Sequence, residues 1–92
     1  MKIGSKEFTP IVNNRVIWNI EEAFGDKPIA KIMVQVDTFT MKQLGLLIYQ
    51  TIKHEIEFEE FADSIEITQY EEAAVEVGAA LQKAFETGSK KK

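Results

Sequence analysis

Cysteine is absent from the chain, which excludes a disulfide scaffold, a thiolate metal site and a cysteine nucleophile together. Histidine and tryptophan occur once each and proline twice, so there is little material for a histidine-rich metal centre or a proline-rich linker. No apolar run approaches the roughly 18 residues that a membrane span needs. The opening Met1-Lys2-Ile3 does not read as a signal peptide, and the cytoplasm is the expected location. Positive charge is in the minority: 11 Lys and Arg stand against 15 Asp and Glu, for a net charge of -4. That balance is the opposite of a nucleic-acid binder's electrostatic footprint.

What remains is 92 residues, 45% hydrophobic and 28% charged. Such a chain is too apolar to stay disordered and long enough for one domain with one modest core. The charge is unevenly spread. From Glu55 to Gln82 there are nine acidic residues (Glu55, Glu57, Glu59, Glu60, Asp63, Glu66, Glu71, Glu72, Glu76) and no Lys or Arg. The chain then closes on Gly88-Ser89-Lys90-Lys91-Lys92, which reads as a flexible basic tail over 88–92 behind a single domain over 1–87.

Ile3 and Phe8 flank Gly4-Ser5, a pair suited to a tight turn, so the first residues read as a short β-hairpin. A helix follows over Asn14–Phe24, capped by Asn13, with Val16, Ile17, Ile20 and Phe24 on one face and Gly25 closing it. Pro28–Val36 fits a helix by the spacing of Ile29, Ile32, Met33 and Val36. Yet Met33-Val34-Gln35-Val36 also alternates as a strand would, and Lys31–Thr38 stays open between the two, with helix preferred. Met41–His54 is the clearest helix. Thr40 and Gln43 form a capping box, and Leu44, Leu46, Leu47, Ile48 and Ile52 make it apolar around most of its circumference. Gly45 offers room for a neighbouring helix. A short helix over Phe58–Ser64 turns Phe58, Phe61, Ala62 and Ile65 to one side. The last begins at Thr68 with a second capping box, Thr68-Gln69-Tyr70-Glu71, and buries Tyr70, Ala73, Ala74, Val77, Leu81, Ala84 and Phe85, with Gly88 beyond its end. The expectation is a mainly α (α+β) domain of four to five helices with an N-terminal β-hairpin.

Candidate chemistry is sparse. His54, expected at the end of the central helix, has neither HExxH nor ExxH around it, and helix-end packing accounts for it better than a metal role. The acidic run lacks the alternating oxygens and central glycine of a calcium loop. Glu59 and Glu60, as neighbouring helical carboxylates, face water more readily than they share a proton. No phosphate loop or Ser-His-Asp set is present. Trp18 and Phe24 read as core residues. Asp63-Ser64-Ile65 resembles the Asp-Ser-Leu of acyl carrier proteins, where the serine carries phosphopantetheine at a helix start. Here Thr68 is the expected helix start instead. No enzyme, cofactor or metal is expected from these residues.

The order of segments carries a wider resemblance. Ile20-Glu21-Glu22-Ala23-Phe24-Gly25 is followed by Leu44-Gly45-Leu46-Leu47-Ile48-Tyr49-Gln50-Thr51-Ile52-Lys53-His54-Glu55. After these come Ile56-Glu57-Phe58-Glu59-Glu60-Phe61-Ala62-Asp63 and Ala79-Ala80-Leu81-Gln82-Lys83-Ala84-Phe85. In this order they resemble the tail assembly chaperones of long, non-contractile tailed bacteriophages and prophages of Gram-positive hosts, over Lys2 to about Phe85. The resemblance implies a host-cytoplasmic protein, absent from the mature virion. It would coat the tape-measure protein, recruit tail-tube subunits and associate with itself, with no nucleic acid or membrane partner. Many such proteins also occur as a frameshifted longer form.

Such work needs many weak contacts on exposed apolar surface, not an active site. Leu46 and Tyr49, expected to face away from the Leu44-Leu47-Ile48 stripe, with Glu57 and Glu60 near by, are the candidate protein-interaction residues. A small acidic adaptor domain that docks a basic partner is the alternative, and the carrier-protein reading of Ser64 is a third.

Overall fold

The computed structural model describes residues 1–90, with side chains described through Glu86. Two short strands, β1 (Lys2–Ile3) and β2 (Lys6–Glu7), pair antiparallel with Lys2 opposite Glu7 and Ile3 opposite Lys6. Gly4 makes the turn at φ +65°, a conformation that side-chain-bearing residues rarely adopt. Five helices follow: α1 (Asn14–Ala23), α2 (Ile29–Gln35), α3 (Met41–Gln50), α4 (Phe58–Ser64) and α5 (Tyr70–Lys90). The domain is therefore mainly helical with a small N-terminal hairpin, as the sequence suggests.

Local chemistry explains most of the boundaries. Asn13 Oδ1 accepts the Val16 N–H at 2.9 Å, capping α1. At its other end Gly25 (φ +74°) and Asp26 (φ +61°) reverse the chain, and the Asp26 N–H returns to the Glu21 carbonyl. Glu21 then does a second job: its carboxylate accepts the Ile29 N–H at 2.8 Å, satisfying a donor at the start of α2. The ambiguous Lys31–Thr38 stretch is helical throughout, α2 passing into a 3-10 turn at Val36–Thr38. Ile32 decides it, because helical spacing puts it fully in the core while Val34, its alternating partner, faces water.

The Thr40–Gln43 capping box forms as expected. Helix α3 ends earlier than the apolar pattern suggests, at Gln50 and not His54. The Thr51 hydroxyl donates to the Ile48 carbonyl at 2.7 Å, and successive three-residue backbone bonds tighten the chain out of the helix. Helix α3 packs against α1, α4 and α5 and so runs through the middle. A Cβ built on Gly45 would lie 3.6 Å from the Tyr70 ring, so the missing side chain is where α5 comes close.

The start of the last helix also differs. Its capping box is formed by Glu66 and Gln69 around a 3-10 turn at Ile67–Gln69, and α5 proper begins at Tyr70. Ala73, Val77 and Leu81 are its buried stripe, with Tyr70, Ala74 and Ala84 half-buried. Phe85, expected in that stripe, is exposed at 44%. Gly88 falls inside the helix and not past its end. Of the basic tail, Lys91 and Lys92 lie outside the described residues.

One core cluster joins β1 and all five helices. Ile3 and Phe8 from the hairpin meet Ile20, Ile32, Leu47, Ile48, Ile52, Phe61, Val77 and Leu81 from the helical part. Trp18 is not among them. It sits 65% exposed on α1, one residue outside the Val16-Ile17-Ile20 face. In α4, Phe61 is buried and Ile65 follows it into the core, whereas Phe58 is half exposed and Ala62 faces water. No helix among the described residues is long and apolar enough to cross a membrane.

Candidate functional site

The four residues singled out from the sequence divide between two places. Tyr49 is half-buried near the end of α3, its ring edge-on to Phe58 at a 5.2 Å centroid distance and tilted against Phe61 at 5.4 Å. Burial first, and then the charge of nearby Glu57, push its phenol above the ordinary range. Glu57 directly precedes Phe58, the residue on which the Tyr49 ring packs. Glu60 instead faces the hairpin, 3.9 Å from the Lys6 ammonium. Leu46 is half-buried, and so is Leu44, so the two leucines do not divide into a core and an outward face. The buried part of α3 is Gly45, Leu47, Ile48 and Gln50.

His54 lies in the turn after α3, not at a helix end. Its Nε2 is 3.1 Å from the Glu55 carboxylate, and it borders a shallow hollow with Arg15, Lys53 and Gln50. Ser64 is the last residue of α4, with its carbonyl and Cβ against the Gly4 turn. A phosphopantetheine serine stands at a helix start, which is not where Ser64 stands. Glu57, Glu59, Asp63, Glu71 and Glu72 are all exposed, and none forms an ion pair among the described residues.

A larger feature lies between the start of α3 and α5. Val36, Phe39, Met41 and Leu44, from the corner between α2 and α3, face Ile67, Tyr70, Ala74 and Val75, from the entry into α5. Between them runs an open groove of about 580 Å³, edged by Asp37 and Glu71. Three of its apolar residues stand well out in solvent: Met41 at 46%, Ile67 at 80% and Val75 at 68% exposure. Single exposed apolar residues are ordinary, but here three stand around one concavity. Phe39, stacked on Phe24 at 5.1 Å, anchors the corner to α1.

The groove was not singled out from the sequence. Ile67 and Val75 carry a signal nonetheless: both are apolar yet fall outside the Tyr70-Ala73-Val77-Leu81 stripe, and apolar residues off the buried face need a reason to be there. Comparison with protein-family models, curated proteins and solved structures finds no match for the chain.

Proposed function

We propose that the chain is a tail assembly chaperone of a long-tailed, non-contractile bacteriophage or prophage. It binds the tape-measure protein and recruits tail-tube subunits while the tail is built in the host cytoplasm, without catalysis. The observation that carries the reading is the apolar groove between the α2–α3 corner and α5. A chaperone must offer apolar surface to mask that of its client and later release it, and Met41, Ile67 and Val75 offer it. The order of the segments from Ile20-Glu21-Glu22 to the Ala-rich last helix supports the particular family. The test is co-expression with the tape-measure protein of the same genome. Solubilisation with several copies of this chain per tape-measure chain supports the reading, whereas no interaction with either tape-measure or tail-tube protein removes it.

The adaptor reading keeps one observation of its own, the exposed carboxylates Glu57, Glu59, Asp63, Glu71 and Glu72, none of them ion-paired among the described residues. Binding to a basic partner that collapses with added salt, in the absence of any tail protein, favours it.

A further inference from the structure

The groove specifies what would fill it. Its interior is apolar, and the charged side chains that line it are Asp37 from the α2–α3 corner and Glu71 from α5. Both are exposed, and neither is ion-paired among the described residues. An occupant therefore needs apolar side chains at its centre and positive charge towards both edges. Its secondary structure is constrained as well. Apart from Phe39 the groove's lining residues are helical and none belongs to a strand, so they offer an extended peptide no strand edge to pair with. From Ile67 to Val75 the α5 side runs about 12 Å, which matches two turns of a helix laid along it.

We infer that the groove takes an amphipathic helical segment of a partner protein, with Lys or Arg beside its apolar stripe. The inference rests on the chaperone reading, which makes the tape-measure protein the partner. Apolar contacts from Met41, Ile67 and Val75 hold the segment, and Asp37 and Glu71 set its orientation and reject acidic segments.

Co-expression of the tape-measure protein with single-residue variants separates the two readings. Ile67→Lys and Val75→Lys change residues that are mostly in solvent, so the fold is kept, and each lowers the copurified tape-measure protein by about ten-fold or more. The double charge reversal Asp37→Lys with Glu71→Lys lowers it as well. Val34→Lys, equally exposed but outside the groove, leaves it unchanged. If the wild-type chain solubilises the tape-measure protein and the groove variants do so equally well, the groove is not the site and the chaperone reading stands. If the wild-type chain fails, both fall. A set of overlapping tape-measure fragments checks the chemistry: captured fragments are basic and helical. Capture of acidic or non-helical fragments, or capture that survives Val75→Lys, overturns the inference.

Discussion

Gln69 grips the backbone of Gly4 with both halves of its carboxamide. Its Oε1 accepts the Gly4 N–H at 2.8 Å, and its Nε2 donates to the Gly4 carbonyl at 2.9 Å. The same Oε1 accepts the Glu66 N–H at 2.9 Å. One side chain therefore ties the hairpin turn to the entry of the last helix.

Gln69→Ala is expected to lower stability by about 2 kcal/mol, since it leaves partly buried backbone groups without partners. Gln69→Glu keeps the acceptor but loses the donor, and falls between the two. Gly4→Ala costs about 1–2 kcal/mol from its left-handed backbone alone. Its new Cβ would also sit 3.1 Å from the Ser64 carbonyl oxygen. Urea denaturation of the three variants checks this order.

The Met1 amino group is enclosed by the Glu7 carboxylate at 2.8 Å, the Glu76 carboxylate at 3.1 Å and the Phe8 carbonyl. Burial draws the amine's pKa down, but its hydrogen bonds to Glu7 and Glu76 outweigh that and raise it above the ordinary 8.0. The hydrogen bond from the amine and its charge hold Glu7 below the ordinary 4.5. The amine stabilises the fold fully below pH 8.0, and this is lost as pH rises through its higher folded value. Glu7 contributes above pH 4.5, and its share is lost as pH falls through its lowered value. Thermal stability should therefore be flat between these limits and decline on both sides. Glu76→Gln should shrink the alkaline decline.

Extending the chain ahead of Met1 turns that amine into an uncharged amide inside the same enclosure. A tag placed there should cost about 2 kcal/mol relative to a tag at the other terminus. Melting temperatures of the two tagged proteins decide the matter.

Trp18 is the chain's one tryptophan and stands in solvent on α1. Its emission should be red-shifted in the native protein, open to acrylamide quenching, and little changed on unfolding. Trp18→Ala should alter stability by no more than about 0.5 kcal/mol.

Thr51 is fully buried, and its hydroxyl closes α3 on the Ile48 carbonyl. Thr51→Val keeps the shape and removes the donor, for an expected loss of about 1–2 kcal/mol, while Thr51→Ser retains most of the bond. Hydrogen exchange at Ile11, whose N–H rests on the Thr51 carbonyl at 3.0 Å, should quicken in the valine variant.

Where a boundary depends on a residue's effect on its own neighbours, the sequence is readable. Asn13, Gly25 and the Thr40–Gln43 pair act over three or four residues, and α4 begins and ends at the expected Phe58 and Ser64. The errors arise where distant parts of the chain compete. Thr68 and Glu71 fit a capping box by spacing, but Gln69 holds Gly4, and the box it makes with Glu66 sets the turn instead. Thr51 could continue a helix, yet its side chain ends one. Phe85 repeats the spacing of a core position yet stays 44% exposed, and periodicity alone carries no information about what lies opposite. The groove has the same origin: Ile67 and Val75 are legible as misfits to their own stripe. Their meeting with Val36, Phe39 and Met41 depends on how α2, α3 and α5 come together. Of the four residues singled out for binding, Tyr49 packs on Phe58, the chain neighbour of Glu57, while Leu46 is half-buried and Glu60 faces the hairpin.

The hairpin's anchors sit far along the chain, at Gln69 and Glu76, and this orders events in time. A ribosome delivers residues from the amino terminus onward, at about 5–20 per second. Residues 1–8 therefore wait several seconds for these two anchors while the helices before them are made. Contacts so distant in sequence also close late in refolding from denaturant, after the helices have formed locally. The hairpin is thus among the last parts to be fastened, and a translation product that stops at Ser64 lacks both Gln69 and Glu76.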